Sequence, residues 1–337
     1  MSPPVVFSAV AGGPFPFQAV VLHRTLRQAL PDARLSVICP SEPAARALAE
    51  LGVAATHAGE LERRDPRLVR TRAGRSHREY CLTLKAPFAL ELLEEAPAGT
   101  IVTAVDADIA FLSDPAPLYA ELAEASVGIV DHRFAERFRS RARWAGRFNS
   151  SWVSFRRDTY GLEALRWWRE RVLEWCGDRA ENGRYGDQGY LQDWPRRFAR
   201  VHVLQHPGAA VAPWTDNRTL ARNRGGVYVG GEPVICFHAQ SLRLHRLTRG
   251  TRPLPRVPEV GWRLDPGYRP SSAEWELLWD PYLEMLGQAT RDLLEIDRRL
   301  LSLLRPLGPR DRARGLARRL WMRRQAAAMR FSAVRSG

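Results

Sequence analysis

"TIVTAVDADIAFLSDP", residues 100–115, decides how the chain is read. Ile101 to Val105 is an uncharged, β-branched run expected to form a buried strand, and it ends on Asp106 and Asp108 before apolar character returns at Ile109, Ala110, Phe111 and Leu112. A carboxylate taken into an apolar site costs several kcal/mol unless something offsets it. A divalent cation would do so. Hard oxygen donors suit Mg²⁺ or Mn²⁺, which accept one or two carboxylates and leave positions for phosphate oxygens. On these three residues alone, a pair that faces water and caps the next turn is equally admissible. Asp114, just before Pro115, reads as a helix cap.

Outward from this strand, apolar runs alternate with helical patterns. "PVVFSAV" (4–10) reads as a strand opening into the loop "AGGPFP", "FQAVVLHRTLRQAL" (17–30) as a helix and "RLSVICP" (34–40) as the next strand. "SEPAARALAELG" (41–52) begins with a Ser cap and ends on Gly, and a longer helix spans 78–96. This alternation predicts an α/β fold with a mostly parallel central sheet flanked by helices. Ligands of such sheets bind at the carboxyl ends of the strands, so the loop after the first strand and the acidic pair should open on one edge. Neither loop carries the glycine pattern of a dinucleotide site or a P-loop. The second half is less regular, with a Trp-rich helix over 160–176 and a long amphipathic helix expected to open at Asp280–Pro281.

Of 337 residues, 45% are hydrophobic and 26% charged, ordinary values for a globular protein. The net charge of +14 is uneven: ten Arg and one Asp between Arg305 and Gly337 supply nine of those charges. Leu316 to Phe331 reads as a basic amphipathic helix, a form suited to an anionic lipid surface. A solvated tail fits the same residues. Nucleic acid lacks a recognition motif here. Among 51 basic residues Lys85 is the single lysine. Cys39, Cys81, Cys176 and Cys236 show no metal spacing and are expected as free thiols in a reducing compartment. Residues 2–22 lack charge, yet Pro3, Pro4, Pro14 and Pro16 argue against a span or leader. The expected location is cytoplasmic, with peripheral contact on the inner membrane face.

The strand with its acidic pair, "EYCLTLKAPF" (79–88), "GRFNSSWVSF" (146–155), "GDQGYLQDW" (186–194), "HPGAAVAPW" (206–214) and "CFHAQSL" (236–242) together resemble the nucleotide-sugar-dependent glycosyltransferases of GT-A fold, particularly the family 8-like group, over residues 5–245. The resemblance implies a Rossmann-like transferase domain over 1–250, followed by a helical extension (251–304) and the basic tail (305–337). It implies metal-dependent sugar transfer, with retention, from a nucleotide-diphosphate sugar to a saccharide or lipid-linked acceptor such as a cell-envelope polysaccharide. Asp106, Asp108 and His238 take the places of the family's metal ligands for Mn²⁺ or Mg²⁺. Lys85 matches a basic residue near the donor, Asn149 a donor-sugar contact, and Asp187 and Gln188 the pair beside the anomeric carbon. Ser8, Ala9 and Val10, at the end of the first strand, are placed by topology against the base and ribose. Trp214 and Trp152 are candidates for stacking on a sugar face, with core packing as the other reading.

Three departures matter. Ser151 and Ser241 stand where relatives carry glycine, and Ala210 where they often carry Asn. They keep open a non-catalytic sugar-nucleotide or membrane-binding module. A D-x-D sugar phosphatase is a third reading, weakened by Ala110 within its motif and by the hundred residues before the pair.

Overall fold

The computed structural model describes residues 3–265 and 267–308. The tail reading over 316–331 therefore lies outside the described residues. Eight strands come first: β1 (Val5–Val10), β2 (Arg34–Cys39), β3 (Ala54–His57), β4 (Ile101–Asp106), β5 (Ile109–Phe111), β6 (Val127–Asp131), β7 (Phe148–Arg156) and β8 (Val201–Leu204). Seven of them form one sheet in the order β3-β2-β1-β4-β7-β6-β8. Only β7 runs against the others, pairing antiparallel with β4 and β6. The carboxyl ends of β1, β4 and β6 and the start of β7 thus share one edge. Near-continuous apolar strands such as Ile101–Val105 are what a sheet covered on both faces requires.

Helices Phe15–Ala29 and Glu42–Glu50 pack on one face, and His77–Glu95 and Thr159–Glu174 on the other. The Ser41 cap is present, its Oγ accepting from Ala44 N at 3.4 Å. Ser76 and Glu79 close a reciprocal capping box that starts the helix carrying Lys85. Asp114, expected as a cap, lies one residue before the cap position at Pro115, and its Oδ1 accepts from Ala116 N at 2.8 Å.

Seven more strands follow: β9 (Ala221–Asn223), β10 (Gly226–Val229), β11 (Glu232–Pro233), β12 (Cys236–His238), β13 (Leu242–Arg246), β14 (Arg252–Leu254) and β15 (Val257–Leu264). The extension expected to be helical opens instead with β14 and β15, joined to β13 in a small antiparallel sheet. Val257, Val260 and Trp262 are buried along β15, and Pro253, which has no N–H for an interior ladder, sits on the edge strand. The last long helix also differs from expectation. It starts at a Ser271–Glu274 capping box and passes through a π turn, Trp275–Trp279, before Asp280–Ile296. That wider turn precedes Pro281, which has no N–H to return to the turn before it. Asp280 therefore lies inside the helix rather than capping it. Arg24 with Asp292 (2.7 Å) and Gln18 with Tyr282 (3.2 Å) tie this helix to Phe15–Ala29, and apolar residues from Phe7 to Leu304 share one core. No described helix is long and apolar enough to cross a membrane.

Candidate functional site

β4 delivers Asp106 to the sheet edge, and a two-residue turn puts Asp108 at the start of β5. β5 then pairs antiparallel with β12, placing His238 opposite Ile109, while Ala239 N donates to Asp108 O at 2.9 Å. A residue 130 positions downstream is thereby fixed against the acidic pair. His238 Nε2 lies 3.2 Å from Asp108 Oδ1 and 3.5 Å from Asp106 Oδ2. His238 is 1% exposed, and neither ring nitrogen has a hydrogen-bond partner. One donor atom from each of the three residues falls within 4.8 Å of the others. Adjacent ligands on an octahedral cation at about 2.1 Å stand about 3 Å apart, so this donor set fits Mg²⁺ or Mn²⁺. An orphaned buried imidazole aimed between two carboxylates is the specific sign of that fit.

Lys85 explains the rest of the electrostatics. It projects from the middle of helix His77–Glu95, is 5% exposed, and ion-pairs with Asp106. Its ammonium also lies 3.1 Å from Asp187 Oδ2 and donates to Ser150 O at 3.1 Å. Its hydrogen bonds go to Asp106 and Ser150 while Asp187 is held by charge, a compact arrangement that a guanidinium fork does not reproduce. Burial opposes the charge on Lys85, but Asp106 and Asp187 outweigh it and raise the pKa. Burial likewise opposes ionisation of Asp106, yet Lys85 and then His238 hold its carboxyl below the usual range. For His238, burial disfavours protonation and Asp108 and Asp106 reverse that, raising its pKa. Three aspartates against one lysine leave an excess of negative charge, which His238 offsets when protonated and which a divalent cation would balance in its place.

Asp187 precedes a 3₁₀ turn, Gln188–Asp193, but its side chain does not cap it. The carboxylate turns to Lys85 instead, while its main-chain oxygen accepts from Trp168 Nε1 at 2.9 Å. Gln188 Nε2 donates to Ala145 O at 2.8 Å and borders the same cavity. At the start of β7 the register slips between Ile129 and Val130, so Val130 faces Asn149 and Ile129 faces Val153. The bulge turns Ser150 O toward Lys85. Asn149 braces it, accepting from Ser151 N at 2.6 Å and sitting 2.9 Å from His132 Nε2. His132 Nδ1 is 3.1 Å from Arg147 O, so the hydrogen sits on Nδ1 and Nε2 accepts from the Asn149 amide. Burial pushes the His132 pKa down to about 4, so this ring is neutral near pH 7. One amide N–H of Asn149 remains for a ligand.

Trp214 is 5% exposed and forms the cavity wall between the rings of His132 (5.6 Å) and His238 (5.4 Å). Trp152, in contrast, is wholly buried against Phe7 and Phe111. A second cavity, about 340 Å³, adjoins the first across Lys85 and Asp106 and is bounded by Val10, Gly12, Gly13 and Cys81. Val10 therefore borders it, whereas Ser8 and Ala9 are buried within the sheet, paired with β2 and β4. Gly12 is required by close approach: a Cβ there would meet Cys81 Sγ at 2.2 Å. Ser151 and Ser241 both avoid positive φ, so neither strains the backbone, and both hydroxyls are buried without partners. His132, Arg78 and Gln240 border the site but were not singled out from sequence. His132 directly follows β6, and the strand-end rule applied there would have found it.

No protein-family profile matches the chain. It is 31% identical over 244 residues to the uncharacterized protein YfnD of Bacillus subtilis, covering 71% of this chain and 78% of that one. The uncharacterized protein YfnF of the same organism is 31% identical over 239 residues, 68% of this chain and 78% of that protein. Among solved structures, the galactosyltransferase LgtC in complex with donor and acceptor sugar analogs superposes with a TM-score of 0.49 at 16% identity, over 84% of this chain and 95% of LgtC. Mouse xyloside xylosyltransferase 1 gives 0.42 at 12% identity, over 70% and 98%.

Proposed function

We propose that this chain, which belongs to the family of Bacillus subtilis YfnD and YfnF, is a nucleotide-sugar-dependent glycosyltransferase of GT-A type. The observation that carries the reading is the buried trio Asp106, Asp108 and His238, set in an excess of negative charge and adjoining two cavities. One cavity follows β1, where the base and ribose of a donor would lie. The other is bounded by Asn149, Asp187, Gln188 and Trp214, a set of hydrogen-bonding groups and an aromatic wall suited to a hexose. Asp106, Asp108 and His238 would hold Mn²⁺ or Mg²⁺, which when bound supplies Lewis-acid neutralisation of a departing diphosphate.

The chain's own residues do the positioning. Lys85 donates to Asp106 and Ser150 and forms an ion pair with Asp187, so it holds both carboxylates near one charge. Asp187, placed against Lys85, can stabilise positive charge developing at an anomeric carbon. Asn149 is fixed by His132 and directs its free N–H into the cavity. The motif resemblance further implies retention of configuration and a saccharide or lipid-linked acceptor, with contact at an anionic membrane surface through the basic tail.

A panel of UDP-, GDP- and CDP-sugars is screened for thermal stabilisation with Mn²⁺ or with EDTA. Stabilisation by at least one sugar nucleotide that vanishes with EDTA and in Asp108→Ala supports the reading. Stabilisation indifferent to both metal and Asp108, or none with any donor, refutes it.

A further inference from the structure

Beyond the metal trio, the sugar-side cavity contains a positive charge that this chemistry does not use. Arg141 is 9% exposed and borders the cavity. Its guanidinium stacks 4.7 Å over the Phe138 ring and 4.4 Å over the Tyr268 ring, and donates to Tyr268 Oη. Among the described residues it makes no ion pair with a carboxylate, although nineteen ion pairs of other arginines or Lys85 form, most of them on the surface. A guanidinium carries five N–H donors, and the hydroxyl uses one. None of the Arg141 nitrogens is among the fully buried atoms lacking a partner, so the donors left free by the hydroxyl stay accessible on a residue that lines the cavity. Burying an unpaired charge is costly, and two aromatic faces recover only part of that cost.

Three residues further on, in the short helix Ala142–Ala145 that continues the 3₁₀ turn Glu136–Arg141, Trp144 also borders the cavity. It is 42% exposed, and its ring meets that of Tyr185 edge-on at 5.3 Å. Trp214 stands between Tyr268 and His238, so Arg141 lies on the side of that wall away from the metal trio. An exposed aromatic face beside a buried, unpaired guanidinium matches a ring that is apolar on one face and carries a carboxylate.

Resting on the transferase reading above, we propose that Arg141 and Trp144 form a subsite for an acidic hexose, a hexuronate whose carboxylate takes the guanidinium in a bidentate pair. Trp144 supplies the stacking face and Arg141 the selectivity for charge. A neutral hexose leaves the guanidinium unpaired, and that difference is the source of discrimination.

Calorimetric titration of the full chain with Mn²⁺ and UDP present compares methyl β-glucuronide with methyl β-glucoside, and a second arm compares UDP-glucuronate with UDP-glucose. The glucuronide binds at least tenfold more tightly than the glucoside if the carboxylate comes from the acceptor. The preference appears between the two nucleotide sugars if it comes from the donor. Arg141→Gln abolishes the preference, Arg141→Lys keeps part of it, and Arg143→Gln, an exposed neighbour outside the cavity, leaves it intact. Equal affinity for charged and neutral probes in both arms, no binding of any probe, or equal loss in Arg143→Gln overturns the proposal. Mn²⁺-dependent binding of UDP in the same samples reports on the transferase reading separately.

Discussion

Replacing Lys85 with Met removes the one buried cation that joins Asp106 to Asp187. At 3.1 Å and an effective dielectric near 20, the Lys85–Asp187 attraction alone is about 5 kcal/mol gross, opposed by desolvation of both groups. The net cost of deleting one partner of such a buried pair is about 3–5 kcal/mol, because the carboxylates are left facing each other. For a chain of this size that lowers Tm by roughly 4–7 °C at pH 7. Without Lys85 the carboxyl of Asp106 loses the charge that holds its pKa down, so protonation relieves the repulsion and the deficit should shrink as the pH falls. The double variant Lys85→Met/Asp187→Asn should recover about 1–3 kcal/mol relative to the sum of the single changes. Calorimetry across pH 5–8 reads all three quantities. A Lys85→Met protein as stable as the parent at pH 7, or strict additivity in the cycle, would refute the view that Lys85 organises the site.

Asp108→Asn should leave the metal-free Tm unchanged or raised, since one of the clustered negative charges is gone, and should eliminate the rise produced by Mn²⁺; differential scanning with and without EDTA checks both. His132 has its pKa lowered to about 4 by burial, against about 6.5 unfolded, so the folded state binds fewer protons over that range. It contributes about 3 kcal/mol above pH 6.5 that is lost as pH falls to 4, and His132→Asn should flatten that part of the stability–pH curve. Gly12→Ala should destabilise the fold through the 2.2 Å approach to Cys81 Sγ, and a second change, Cys81→Ala, should restore most of the loss in urea unfolding. Gly208→Ala has no such remedy: its Cβ would meet Pro233 O at 2.0 Å, and soluble yield should fall.

The local pattern of residues was enough to locate the strand that ends in the acidic pair, the strand–helix alternation and the capped helices, because burial periodicity and caps are short-range properties. Asp106 and Asp108 stood out for the same reason: two carboxylates closing an apolar strand conflict with their surroundings, and that conflict is visible within sixteen residues. Pro281 misled about where the last helix begins, since only packing against Phe15–Ala29 draws the preceding turns into a continuous helix. The pairing of Lys85 with Asp187, the tautomer of His132 and the isolation of Arg141 were invisible in the chain. Each depends on which distant side chains share a dielectric environment, and that is set when β5 meets β12 and β7 bulges against β6. Charge type was written locally. Charge balance, on which the chemistry turns, exists only once the fold has brought residues 85, 106, 108, 187 and 238 within a few ångströms of one another.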